Sequence, residues 1–141
     1  PMIVWTHWVP AARALKNRLH GTYPKLRVEH VYGDNKNNEQ LFADYKAGTI
    51  DVLILSLGVG RFGHTLTNTR TVVYMDKTWA ADDYVQSIKR VRRIGLTHSP
   101  VLITLKAAGT VDELVELNLM KKMPSIAKLS NSDLKELLKG L

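Results

Sequence analysis

The sequence predicts an α/β domain with a parallel sheet and helices on both of its faces. Two observations carry this. Short apolar runs alternate with stretches of helical periodicity along the chain, the pattern of strand–helix–strand units. One run, Asp51 to Ser56 (DVLILS), is almost continuously apolar, as a central parallel strand covered on both faces must be. In such sheets function collects in the loops at the carboxyl ends of the strands. Here those loops are Thr6-His7-Trp8, Gly33-Asp34, Ser56 to Gly63 and Asp76 to Trp79.

Met2 to Trp5 reads as a buried strand, followed by the turn at Thr6 to Trp8. Pro10 sits where a first helical turn tolerates proline, and Leu15 and Leu19 lie one turn apart in a helix from Ala11 to His20. Gly21 to Pro24 breaks that helix. Arg27 to Tyr32 is a second strand. Asp34 or Asn35 is placed to cap the next helix, which carries Leu41, Phe42 and Tyr45 and stops at Gly48. After Asp51 to Ser56 comes a glycine-rich loop to Gly63, then a strand from Thr71 to Met75. A helix is expected from Asp83 to Gly95, the glycine being its C-cap, and Asp82-Asp83 should cap its start and complement its dipole. Val101 to Leu105 is a last strand, and Val111 to Lys122 an amphipathic helix. The domain is expected to span residues 1–122. Residues 123–141 read as a linker and a short terminal helix, Asp133 to Lys139, capped by Ser132 or Asn131.

The chain of 141 residues is long enough for one domain with a real core, and its hydrophobic fraction of 45% and charged fraction of 23% suit a globular protein. It has no cysteine, which excludes disulfides and thiolate metal sites, and the five histidines form no metal spacing. No run approaches the roughly 18 apolar residues of a membrane span, and no leader is expected, because the chain opens directly on a strand. The net charge of +7 favours an anionic partner, nucleic acid above all, with DNA and RNA both open.

The helix from Asp83 has two faces. Tyr84, Ile88 and Val91 make an apolar stripe, while Gln86, Arg90 and Arg93 repeat at helical spacing on the other side, flanked by Lys89 and Arg92. Most basic faces are simply solvated. This one has no acidic residue from Val85 to Thr97, so its row has no partner in its own helix and points to a polyanion or a triphosphate. Upstream, Gly58, Gly60 and Gly63 match G-x-G-x-x-G after the strongest strand, but His64 to Thr69 lacks the helical stripe that a dinucleotide site needs. The loop can still bring backbone N–H groups close to phosphates. No G-x-x-x-x-G-K-[ST] is present, so the parts that hold a triphosphate and Mg2+ are missing.

Taken in order, SLGVGRFGHTL (56–66), VVYMDKTW (72–79) and QSIKRVRRIG (86–95) resemble motifs V and VI of superfamily 2 helicases, most closely the branch of double-strand translocases related to chromatin remodellers. IVWTH near the start is similar to motif IV, VYGDN (31–35) to the turn that follows it, and VLITLKAAGTVDELV (101–115) to the segment after motif VI. The likeness spans nearly all of residues 2–122. It implies a RecA-like carboxy-terminal lobe that closes over ATP and Mg2+ held mainly by a separate amino-terminal lobe. By match, Arg90 and Arg93 are the arginines that reach the phosphates, Gln86 orients or senses the nucleotide, and Gly60 and Gly63 lie near it. Thr6, His7, Ser56 and Gly58 match positions that touch the nucleic-acid backbone. The sequence departs from the family where Gly58 replaces a lysine, Arg61 a glycine, Thr65 an asparagine and Leu96 a glutamine.

The resemblance therefore implies one half of a DNA-dependent ATPase, inactive by itself, with double-stranded DNA as its track and no membrane partner. The compact loops lean towards a bacterial or phage enzyme in the cytoplasm, with the nucleus left open. The alternative is a stand-alone basic nucleic-acid-binding module without ATPase activity.

Overall fold

The computed structural model describes residues 1–33, 35–56, 59, 63–76, 80–92 and 98–129, with the backbone alone for 125–129. Five strands, β1 (Met2–Thr6), β2 (Val28–Val31), β3 (Val52–Ser56), β4 (Thr71–Tyr74) and β5 (Val101–Thr104), form one parallel sheet in the order β2-β3-β1-β4-β5. The register is continuous across it: Val4 faces Ile54 on one side and Val73 on the other, and Val73 faces Ile103. Four helices connect or follow the strands: α1 (Val9–Thr22), α2 (Asn38–Lys46), α3 (Ala81–Val91) and α4 (Val111–Leu129).

Strand order and crossover handedness together decide which face each helix covers. The chain runs outward from β1 to β2, then reverses to β3, β4 and β5. Right-handed crossovers therefore place α1 on one face and α2 and α3 on the other. The core divides accordingly. Ile3, Trp5, Leu53, Leu55, Val72 and Tyr74 pack with Phe42 and Tyr45 of α2 and with Tyr84, Ile88 and Val91 of α3. Val4, Val28, Val52 and Ile54 pack with Ala12, Leu15 and Leu19 of α1. The side chains of Ile3, Leu53, Ile54 and Leu55 are almost wholly buried, each contributing about 1.5–3 kcal/mol of hydrophobic transfer. α4 packs on α3 through Val115, Leu119 and Ala81.

The ends of two helices differ from expectation. α3 ends at Val91, with Arg92 already extended (φ −111°, ψ 113°), and Gly95, the expected C-cap, lies outside the described residues. The Arg90 carbonyl accepts the Leu66 N–H at 2.9 Å, so a loop amide takes the acceptor that the next helical turn would use. α4 passes Lys122 and runs through Pro124 to Leu129. Proline forfeits one helical hydrogen bond, while Met123 beside it packs against the core. The helix caps also differ. Ala80 and Asn37 occupy the N-cap positions of α3 and α2 without a side-chain cap bond, and Asp82 and Asp83 sit in the first turn, where they complement the dipole. Asn35 instead accepts the Asn37 N–H at 3.2 Å. Asp34 and the expected terminal helix, Asp133 to Lys139, lie outside the described residues.

Candidate functional site

At the carboxyl edge of the sheet, Thr6 ends β1 and Ser56 ends β3, paired in register. Both hydroxyls turn to protein partners. Thr6 is fully buried; its Oγ1 donates to Asp76 Oδ2 at 2.5 Å and accepts the Trp8 N–H at 3.2 Å. The His7 N–H donates to the other oxygen of Asp76 at 2.6 Å. One carboxylate after β4 thus holds the tip of β1. His7 itself is exposed and meets Trp8 edge-on at 5.4 Å.

Ser56 Oγ lies 3.2 Å from His30 Nε2, both residues buried. The His30 ring lies 4.8 Å from the Tyr32 ring, which carries the Arg13 guanidinium on a face at 5.6 Å. Burial, and then the charges of Lys16 and Arg13, hold the His30 pKa below the ordinary 6.5. His30 is therefore a neutral buried hydrogen-bonding residue. Asp76 and His30 are the two residues of this edge that sequence reasoning gave no role. The signal for Asp76 was its place at a strand end, but its target becomes visible only once β4 is known to lie beside β1.

The second cluster joins α3 to the segment after the glycine-rich loop. Tyr84, Ile88 and Val91 are buried as the stripe requires; Gln86 is exposed and Arg90 half-buried. Ser87 and Tyr74 fix the helix to β4 through a 2.7 Å hydroxyl contact, and Ser87 Oγ donates to the Tyr84 carbonyl at 2.6 Å. Gly63 adopts φ +54°, a left-handed conformation that glycine permits, and starts the segment that reaches Arg90. Arg90 Nη1 donates to the His64 carbonyl at 3.3 Å, while Leu66 N–H donates back to the Arg90 carbonyl. The His64 ring stacks on Phe42 at 4.0 Å and lies 3.3 Å from Glu39 Oε1. Arg90 and His64 line a small pocket with Trp5, Phe42, Leu55, Val59 and Leu66. Buried Trp5 Nε1 and Arg90 Nε make no hydrogen bond among the described residues. Burial also lowers the Arg90 pKa from its ordinary value.

The structure thus brings Arg90 to the Gly63–Leu66 segment, and Thr6 and His7 to Asp76. Gly58, Gly60 and Arg93 lie outside the described residues. Among the described residues no group of three histidine, aspartate or glutamate side chains could hold a metal ion, and no helix is long and apolar enough to cross a membrane.

A parallel sheet with helices on both faces, joined at α3 to the glycine-bearing segment after β3, defines the class as a RecA-like α/β lobe. Residues 1–95 match the helicase conserved C-terminal domain model, and the chain belongs to that family. It is 35% identical over 102 residues to the TATA-binding protein-associated factor BTAF1 of Arabidopsis thaliana, covering 72% of this chain and 5% of that protein. It is 31% identical over 111 residues to mouse chromodomain-helicase-DNA-binding protein 1-like, covering 77% of this chain and 12% of the relative. The C-terminal part of the Fun30 ATPase domain superposes with a TM-score of 0.73 at 20% identity, over 84% of this chain and 38% of that one. The fold is therefore that of a helicase C-terminal lobe. The chain spans only about a tenth or less of the length of these curated relatives. Both are eukaryotic and lend no support to the bacterial or phage lean.

Proposed function

We propose that this domain is the second ATPase lobe of a DNA-dependent translocase, acting on ATP and Mg2+ held by an amino-terminal lobe. The observation that carries the reading is the double link between Arg90 and the His64–Leu66 segment. It ties α3, which bears Gln86 and Arg90, to the segment that follows β3 and its glycine-rich loop. A shift of that loop on nucleic acid would be felt by α3, and the reverse. Arg90 and Arg93, supplied across the cleft on closure, stabilise charge on the transferring phosphoryl group, and in this structure Arg90 is held at the His64 carbonyl. The names of the relatives, which include a chromatin-remodelling ATPase, support DNA as the polymer. The net charge of +7 suits the same partner.

The test is DNA-stimulated ATP hydrolysis by the protein extended upstream through its native reading frame, with Arg93→Ala beside it. Turnover by the extended protein that falls by about 10^3 or more in the variant supports the motor reading. No turnover, or a variant as active as the parent, leaves the basic binding module in its place. Robust turnover by the 141 residues alone also refutes the reading.

A further inference from the structure

α4 is apolar on two sides. On the inner one Val115 and Leu119 are buried with Ala81 of α3, and Met123 packs against the core. On the outer one stand Val111, Leu114, Leu117 and Met120, exposed between 54% (Leu117) and 64% (Met120). At 100° per residue, Leu114 and Leu117 point away from the Val115–Leu119 side, and Val111 and Met120 lie on either flank of them. Two of the helix's carboxylates turn back to the connection from β5: Asp112 accepts the Ala107 N–H at 3.1 Å, and Glu116 pairs with Lys106 at 2.8 Å. A contiguous apolar stripe at these exposures, rimmed by polar residues, marks a contact surface.

The spacing of the stripe says what fits it. Its four members recur at every third position and so form one ridge, inclined about 45° to the helix axis. They are symmetric in the chain about the point between Val115 and Glu116. A two-fold axis through that point lays the ridge, reversed, on its own copy. Val111 then meets Met120 of the other copy, and Leu114 meets its Leu117. Such a pairing is isologous and closes with two copies. The charges agree with it. The row beside the ridge on one side carries Glu113, and the row on the other side carries Lys121. The two-fold sets the first row of one copy against the second row of the other, with Glu113 within reach of Lys121. Glu113 accepts the Gly109 N–H at 3.2 Å through one oxygen, which leaves the second for a partner. Lys121 is exposed and makes no ion pair among the described residues.

We propose that the outer face of α4 is a homodimer interface, occupied by α4 of a second copy of this chain that crosses it steeply, at roughly 90°. Leu114 and Leu117 of both copies form its centre, and Glu113 and Lys121 its rim. One helix face is well below the size of a standard interface, so the pairing is weak, with a Kd of roughly 10–100 μM. It does not depend on the motor reading.

Sedimentation equilibrium of the 141-residue protein reads the mass directly, in salt that screens the net charge of +7 on each copy. The expected mass rises from one chain to two between about 1 and 300 μM. Leu117→Glu, at a position more than half exposed, should raise the Kd roughly tenfold or more and leave the circular dichroism unchanged. Lys121→Glu should weaken the dimer, and adding Glu113→Lys should restore it. The absence of cysteine allows the register to be tested. Under mild oxidation a mixture of Leu114→Cys and Leu117→Cys proteins should form the interchain disulfide several-fold faster than either protein alone. A mass of one chain throughout the range overturns the proposal, as does a dimer that Leu117→Glu leaves intact or equal cross-linking in all three samples. Slow maleimide labelling of Leu117→Cys at the lowest concentration overturns it too, because the stripe is then covered by residues 130–141 of its own chain. So does protection at every concentration that arises only in the protein extended upstream, where the occupant is the upstream polypeptide.

Discussion

Removing the carboxylate of Asp76 should destabilise the domain by about 2–3 kcal/mol. Asp76 Oδ2 accepts from Thr6 at 2.5 Å and Oδ1 accepts from the His7 N–H at 2.6 Å. Hydrogen bonds to a charged group contribute about 1.5–3 kcal/mol each, at the lower end here because Asp76 is half-exposed and water can replace part of the loss. Thr6 is fully buried, so in Asp76→Ala its hydroxyl loses its acceptor where water does not reach. For a domain of this size the loss corresponds to a fall in Tm of roughly 10 °C. Urea unfolding, followed by tryptophan fluorescence and circular dichroism, measures it. Thr6→Val removes the same bond from the other side, so the two changes together should cost less than their sum by about 1 kcal/mol or more. A cost below about 0.5 kcal/mol for Asp76→Ala, or strict additivity, would refute the idea that this carboxylate fixes the tip of β1.

His30 binds its proton more weakly in the fold than in the unfolded chain, so stability is complete above the ordinary pKa of 6.5 and is lost as pH falls below it, down to the folded value. Denaturation at pH 7.5 and 5.5 should show this slope, at most about 1.4 kcal/mol per pH unit, and His30→Gln should flatten it. Leu55→Ala empties a site 1% exposed between α2 and α3 and should cost about 2–5 kcal/mol in the same assay. Gly63→Ala meets no atom within 4 Å but must hold φ +54°, so roughly 1–2 kcal/mol is expected from backbone strain alone; thermal unfolding showing no change would contradict the left-handed turn.

How far the sequence was legible depends on whether the forces concerned are local. The five strands, the first three helices and the buried stripe Tyr84, Ile88, Val91 follow from apolar periodicity, because each signal lies within one element. Helix ends were read less well. α3 stops at Val91 because Leu66, 24 positions upstream, supplies an N–H to Arg90, and nothing near Arg90 in the chain announces that. The last helix was expected to end at Lys122, yet α4 runs through Pro124 with Met123 packed against the core.

The row of Gln86 and Arg90 could be read in the chain because both lie on α3. The site could not, because its contacts join distant segments. Sequence alone determined that this is a parallel α/β domain with a basic helix after a glycine-rich loop, since periodicity and turn chemistry are written residue by residue. Only the tertiary structure decided that β1 lies between β3 and β4. That order puts Asp76 against Thr6, draws Ser56 to His30 and joins Arg90 to His64. Strand order follows from crossover handedness and from how much apolar surface each arrangement buries, quantities that belong to the whole fold and to no single stretch of it.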